Sequence, residues 1–272
     1  MTAPVNAASL DCIDGRPMAD KRFILATDLD GTFLGGSSGA RAMLYDWIEA
    51  HRDEIGLIFV TGRDPRFIAE LCAGDVPWPD FAIGDVGATI AQVHPGDAAP
   101  VRPIEALEAD IVARWGDAGP RVRAALDGAA GLRLQTTPFR HRVSYDYDPA
   151  RYHPAAARIV ADLGLDHLIS DNRFFDVLPK GVAKGPSLLR LIAHLGARPD
   201  RVLAAGDTMN DLSMLHCGLH AVAVGGSEAP LLDALPRTPR IHRARAIGAA
   251  GILEAVRAFD LHPSPKGDLD VI

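Results

Sequence analysis

Residues 23–32 read FILATDLDGT: an unbroken apolar run, a threonine, then two carboxylates one residue apart with a glycine immediately after. A strand whose successive residues are all apolar has no solvent face. It belongs inside a sheet covered on both sides, which is the situation of parallel strands in α/β proteins. The acids at its end fall where open parallel sheets bind ligands, beyond the carboxyl ends of the strands. A period of two predicts that Asp28 and Asp30 share one side. Two carboxylates held together repel unless something positive lies between them. A hard divalent cation meets that need, and magnesium takes one or two carboxylates together with waters and substrate phosphate. The plainer alternative is that both acids merely cap the turn that follows.

Further short apolar runs at 57–61, 81–84, 202–207 and 221–224 alternate with amphipathic stretches at 40–51, 65–73, 186–195, 211–217 and 252–259. This order predicts an α/β fold with a doubly wound parallel sheet, a Rossmann-like core. Residues 87–181 read differently. They hold strand patterns at 132–137 and 142–147, helical patterns at 104–126 and 154–163, and a hairpin over 168–178 turning at Asp171-Asn172, which predicts an inserted α+β cap domain. The expected organisation is a flexible N-terminal extension (1–22), a catalytic core (23–86 and 182–261), the cap (87–181) and a C-terminal tail (262–272). With 272 residues, 48% of them hydrophobic, the chain has enough apolar material for one large domain or two modest ones.

A formal net charge of −7 argues against a nucleic-acid partner, which requires a basic face. Cys12, Cys72 and Cys217 are odd in number and widely spaced, so neither a disulfide framework nor a cysteine zinc site is expected, and a reducing cytoplasm fits. Residues 1–22 carry Asp11, Asp14, Arg16 and Asp20 among their charges and no long apolar run, so no signal peptide and no membrane association are predicted.

Three other segments complement the acid pair. FVTGRDP ends a strand in Thr61 and Gly62, a hydroxyl and an unshielded amide before a helix start, where anions are stabilised. GVAKGPSLL puts Lys184 at a helix start, where a cation opposes the macrodipole at a cost of about a few tenths of a kcal/mol, so a lysine there calls for an anion. AAGDTMNDLSML ends a strand in Asp207, Asn210 and Asp211, groups able to meet a metal or a phosphate.

Together, Asp28-Leu29-Asp30-Gly31-Thr32, Thr61, Lys184 and Gly206-Asp207-Thr208-Met209-Asn210-Asp211 resemble the four motifs of the haloacid dehalogenase-like superfamily. The insert resembles the large α/β cap of its sugar-phosphatase branch. Within that branch, PDFAIGDVGATI and FFDVLPKGVAKGPSLL are most similar to the sucrose-phosphate phosphatases and their relatives, which include mannosylfructose-phosphate phosphatase. The chain departs from the pattern at Asp85, where a small or hydroxyl residue is expected, and at Thr208-Met209.

The resemblance implies a magnesium-dependent phosphatase acting on a small-molecule sugar phosphate, such as sucrose phosphate or mannosylfructose phosphate, through an aspartyl-phosphate. Asp28 would be the nucleophile and Asp30 the general acid and base. Thr61, Gly62, Lys184 and Asn210 would hold the phosphoryl oxygens. Asp28, Asp30 through its backbone carbonyl, and Asp207 would hold Mg2+, with Asp211 orienting Lys184 or a metal-bound water. A phosphomutase of the same superfamily and a non-catalytic sugar-phosphate binder are the alternatives. Lys180 reads as a solvated hinge residue, and His216 and His220 as packing or surface residues rather than a metal pair. RIHRARAIG reads as a solvated edge. Arg140, His141 and Arg142 fit either a surface strand or a position facing the sugar.

Overall fold

The computed structural model describes residues 10–137 and 139–263. Among these, the strands are β1 (Phe23–Thr27), β2 (Ile55–Val60), β3 (Phe81–Gly84), β4 (Thr89–Val93), β5 (Val101–Pro103), β6 (Leu132–Leu134), β7 (Val143–Tyr147), β8 (Leu165–Ser170), β9 (Phe174–Pro179), β10 (Val202–Gly206), β11 (His220–Gly225) and β12 (Ile241–Ile247). The helices are α1 (Ser38–Ala50), α2 (Phe67–Leu71), α3 (Glu105–Trp115), α4 (Ala118–Ala125), α5 (Ala155–Asp162), α6 (Lys184–His194), α7 (Leu212–Leu215), α8 (Ala229–Ala234) and α9 (Ala249–Ala258).

Eight strands form one sheet in the order β12-β11-β10-β1-β2-β3-β4-β5, parallel from β12 to β3 and antiparallel at β4 and β5. The central strands are buried at every position because alternate residues serve different cores. Phe23, Leu25, Leu57 and Phe59 pack with Leu44, Ile48 and Ile252 of α1 and α9. Ile24, Ala26, Ile58 and Val60 pack with Leu188, Leu191 and Met214 of α6 and α7 on the opposite face. The chain runs outward from β1 through β2 and β3 and then returns to β10 on the other side of β1, so the topological switch point lies between β1 and β10.

A second, antiparallel sheet has the order β6-β7-β9-β8. Its alternation is regular: Val143, Tyr145, Phe175 and Val177 pack on α4 and α5, while Ser144 and Asp176 point the other way. The β8–β9 hairpin turns at Asp171 and Asn172, both at positive φ (51° and 47°), the backbone of a type I′ turn.

Several expectations need correction. The insert does not begin as a separate layer at residue 87, because β4 and β5 extend the large sheet and the second sheet spans only 132–179. The helical pattern over 104–126 is broken at Gly116, which turns the chain with φ +51°. The basic stretch read as a solvated edge forms β12, the outermost strand of the large sheet, partly exposed along its length. Residues 10–22 are not a loose extension. Asp11 bridges Pro17, Met18 is buried, and the buried Lys21 donates to Asp14 Oδ2 (2.7 Å) and to the Arg52 carbonyl (2.6 Å). At the other end His262 is buried edge-on to Trp47. The rest of both expected tails, residues 1–9 and 264–272, lies outside the described residues.

Candidate active site

Asp28 follows β1 directly, and its amide prolongs the ladder by donating to the Ala205 carbonyl at 2.8 Å. The chain then coils tightly through Leu29–Phe33, with Gly31 at φ +78°. Glycine is required there twice over, by the left-handed backbone and because a Cβ would sit 2.2 Å from Asp207 Oδ2. Thr32 donates its hydroxyl to Asp207 Oδ1 at 2.6 Å, tying this turn to the end of β10.

Lys184 opens α6 and is fully buried. Its ammonium uses all three protons: to Asp28 Oδ1 (2.6 Å), Asp211 Oδ1 (2.6 Å) and Asn210 Oδ1 (2.7 Å). The cation at a helix start thus has its anions. Asp211 is satisfied on both oxygens, since Oδ2 accepts the amides of Asp207 and Thr208, each at 3.0 Å. Burial opposes the charge on Lys184, but Asp211 and Asp28 outweigh it and hold the ammonium above its ordinary range. Burial, reinforced by Asp211, keeps Asp28 well above the usual carboxylate range despite Lys184. Burial also pushes Asp207 up to about 6, against the Thr32 hydrogen bond.

Asp28, Asp207 and Asp211 each offer a carboxylate oxygen, all within 4.8 Å of one another. Three carboxylates face one lysine, and Oδ2 of Asp28 and of Asp207 accept no hydrogen bond among the described residues. Hard oxygen donors in excess of their positive partners suit a divalent cation such as Mg2+. Asp28 and Asp207 have the available oxygens, while Asp211 is committed to Lys184 and to backbone amides.

Asp30 departs from expectation. Because the chain coils after Asp28, strand periodicity does not carry through, and its carboxylate lies outside the acidic cluster. It is exposed and gripped in two-point fashion by Arg63, with Nε and Nη2 at 2.7 and 2.6 Å. Thr61 is buried at the end of β2, its hydroxyl accepting the Arg63 amide at 3.1 Å. Gly62 borders the cleft opposite Asn210.

A cleft of about 690 Å³ lies between the two sheets, with Thr61, Lys184 and Asp211 buried outside its lining. Asp28, Asp30, Gly62, Asp207 and Asn210 form its floor, and Gln135, Arg142, Ser170, Phe174 and Asp176 line its other wall. Of the basic trio in the insert, Arg142 reaches the cleft, whereas Arg140 is paired with the buried Glu108 at 2.7 Å. Lys180 is exposed, and His220 packs at a tilt against Phe259. Sequence reading missed Arg63 and Asp176, although both stand inside motifs it singled out. Asp85 was noticed only as a departure.

A model of the sucrose-6F-phosphate phosphohydrolase family matches residues 21–260. The chain belongs to that family. It is thereby placed among the sugar phosphatases of the haloacid dehalogenase-like superfamily, which are phosphomonoester hydrolases. The sucrose-phosphatase of Synechocystis, solved in complex with sucrose and phosphate, superposes with a TM-score of 0.77 at 25% identity, covering 88% of this chain and 98% of that one. The mannosylfructose-phosphate phosphatase of Agrobacterium fabrum is 28% identical over 88% of this chain and 98% of its own length. The glucosylglycerol-phosphate synthase of Pseudomonas anguilliseptica is 45% identical over 239 residues, 87% of this chain. The chain spans only 30% of that synthase's length, and 62% of the length of the tobacco sucrose-phosphatase 2. No helix among the described residues is long and apolar enough to cross a membrane.

Proposed function

We propose that this protein hydrolyses the phosphomonoester of a phosphorylated disaccharide or glycoside, with Asp28 as nucleophile. The observation carrying this reading is the buried Asp28–Lys184–Asp211 cluster beside Asp207 at the switch point of the sheet. Lys184 anchors Asp28, whose carboxylate attacks phosphorus and forms an aspartyl-phosphate, which divides one difficult step into two. Thr61, the Gly62 amide, Lys184 and Asn210 hold the phosphoryl oxygens, and Asp211 keeps Lys184 in place. Asp30 protonates the leaving sugar oxygen and later deprotonates the attacking water, which requires its carboxylate to swing from Arg63 toward the phosphoryl group. Asp28, Asp207 and the Asp30 backbone carbonyl would hold Mg2+, which when bound would compensate the charge between carboxylate and phosphate.

The 45% identity to part of a glucosylglycerol-phosphate synthase favours glucosylglycerol phosphate as substrate over sucrose phosphate and mannosylfructose phosphate, the sugar esters of the less similar relatives. The free thiols of Cys12, Cys72 and Cys217 are consistent with a reducing cytoplasm. Phosphate release from these three esters with and without magnesium tests the proposal. Magnesium-dependent release, fastest from glucosylglycerol phosphate, is expected. Conversion of a sugar phosphate into its isomer without phosphate release would indicate a phosphomutase, and binding without turnover a non-catalytic protein.

A further inference from the structure

Three charged side chains, Arg142 and Asp176 in the cleft wall and Asp85 next to the cleft-lining Val86, take no part in the phosphoryl site and yet are almost completely buried. Arg142 immediately precedes β7 and lies over the Phe139 ring at 3.7 Å. Its Nη1 is 3.2 Å from Asp176 Oδ1, and its Nε is 3.5 Å from Asp85 Oδ1. Asp176 belongs to the four-stranded sheet, whereas Asp85 begins the turn Asp85–Gly87 between β3 and β4 of the eight-stranded sheet. One guanidinium therefore joins the two sheets at the cleft.

This cluster is poorly suited to stability alone. Burial pushes both carboxyls above their ordinary range, with Arg142 only opposing it. Arg142 Nε and Asp85 Oδ1 make no well-formed hydrogen bond. Buried pairs of this kind contribute position more readily than net stability. The turn is also strained: Asp85 and Val86 sit at φ +53° and +57°, the left-handed region that the β-branched Val86 strongly disfavours.

The surroundings that enforce the strain lead to the phosphoryl site. The Val86 amide donates to the Thr61 carbonyl at 3.2 Å, and the Asp85 amide to that of Arg63 at 2.9 Å. Ser187 of α6 donates its hydroxyl to the Gly87 carbonyl at 2.6 Å. Gly87 is packed so closely on the start of α6 that a Cβ would lie 2.4 Å from the Ala183 carbonyl carbon. The turn that receives Arg142 is thus bonded to the strand end carrying Thr61 and abuts the helix start carrying Lys184.

We infer that Asp85 and Arg142 are a positioning pair that determines specificity: by docking on Asp85, Arg142 sets the four-stranded sheet, and with it the glycosyl end of the substrate, in register with the phosphoryl site. The inference rests on the phosphatase reading. It also accounts for an aspartate where a small residue was expected, since Asp tolerates the left-handed backbone and supplies the charge that seats the guanidinium.

The test is Asp85→Asn, which keeps the size and the left-handed tolerance but removes the charge. Steady-state kinetics are compared on whichever of the three sugar esters the wild type cleaves fastest and on p-nitrophenyl phosphate, which has no glycosyl part. The expected result is a fall of at least tenfold in kcat/KM for the sugar ester, with p-nitrophenyl phosphate within about twofold of wild type. Arg142→Lys should lose sugar-ester efficiency similarly, and the double variant should be no worse than Arg142→Lys alone. If Asp85→Asn does not fold, the selectivity of Arg142→Lys decides. Equal losses on both substrates, or an unchanged sugar-ester kcat/KM, would overturn the inference. A wild type inactive on every ester would overturn the phosphatase reading and this inference with it.

Discussion

Replacing Lys184 with methionine keeps the length of a fully buried side chain and deletes only its ammonium. Asp28 Oδ1, Asp211 Oδ1 and Asn210 Oδ1 all lose a donor at 2.6–2.7 Å. Asp211 keeps two backbone amides, so the loss falls mainly on Asp28. Removing one partner of a buried ion pair costs about 3–5 kcal/mol, because the other charge is left uncompensated. For a chain of this size that is roughly 6–10 °C in Tm, measured by circular dichroism in metal-free buffer. The double variant K184M/D28N has a neutral amide where the orphaned charge would be, so it should recover about 1–3 kcal/mol relative to the sum of the single changes. A Tm for K184M within about 2 °C of wild type, or strict additivity in the double variant, would refute the view that Lys184 is held by the acids rather than by packing of its stem.

Asp28→Asn should leave Tm nearly unchanged and reduce phosphate release by more than about 10³-fold, roughly 4 kcal/mol of barrier, in a fixed-time phosphate assay; activity within about tenfold of wild type would exclude the covalent route. Gly31→Ala places a methyl group against Asp207 in a left-handed turn, so the magnesium concentration for half-maximal activity should rise at least about tenfold, read from a metal titration. The pH dependence of stability has a definite sign: burial raises Asp85 above its ordinary value of 3.8, so over that window the folded state binds more protons than the unfolded one, and stability falls as pH rises. Urea unfolding at pH 4 and pH 7 should therefore show a smaller decline in Asp85→Asn than in wild type, and an equal decline in both would remove Asp85 from the account.

The parallel core was legible in residues 23–26 because burial on both faces of a sheet favours apolar side chains at successive positions. Lys184 was legible as an anion partner because a cation at a helix start is locally unfavourable, and the Asp171-Asn172 turn because those residues tolerate positive φ. Each of these signals acts over a few residues. The direction of Asp30 was not of this kind: it depends on the coil that Gly31 makes possible, and the space against which Gly31 packs is closed by Asp207, 176 positions later in the chain. Likewise β4 and β5 carry ordinary strand patterns, and only an open edge beside β3 decides which sheet they join. The contact between Arg142 and Asp85 was set last, by how two separately formed sheets pack. Local periodicity and backbone preference are written residue by residue, whereas the meeting of distant charges depends on chain reversals and layer packing that no local stretch specifies.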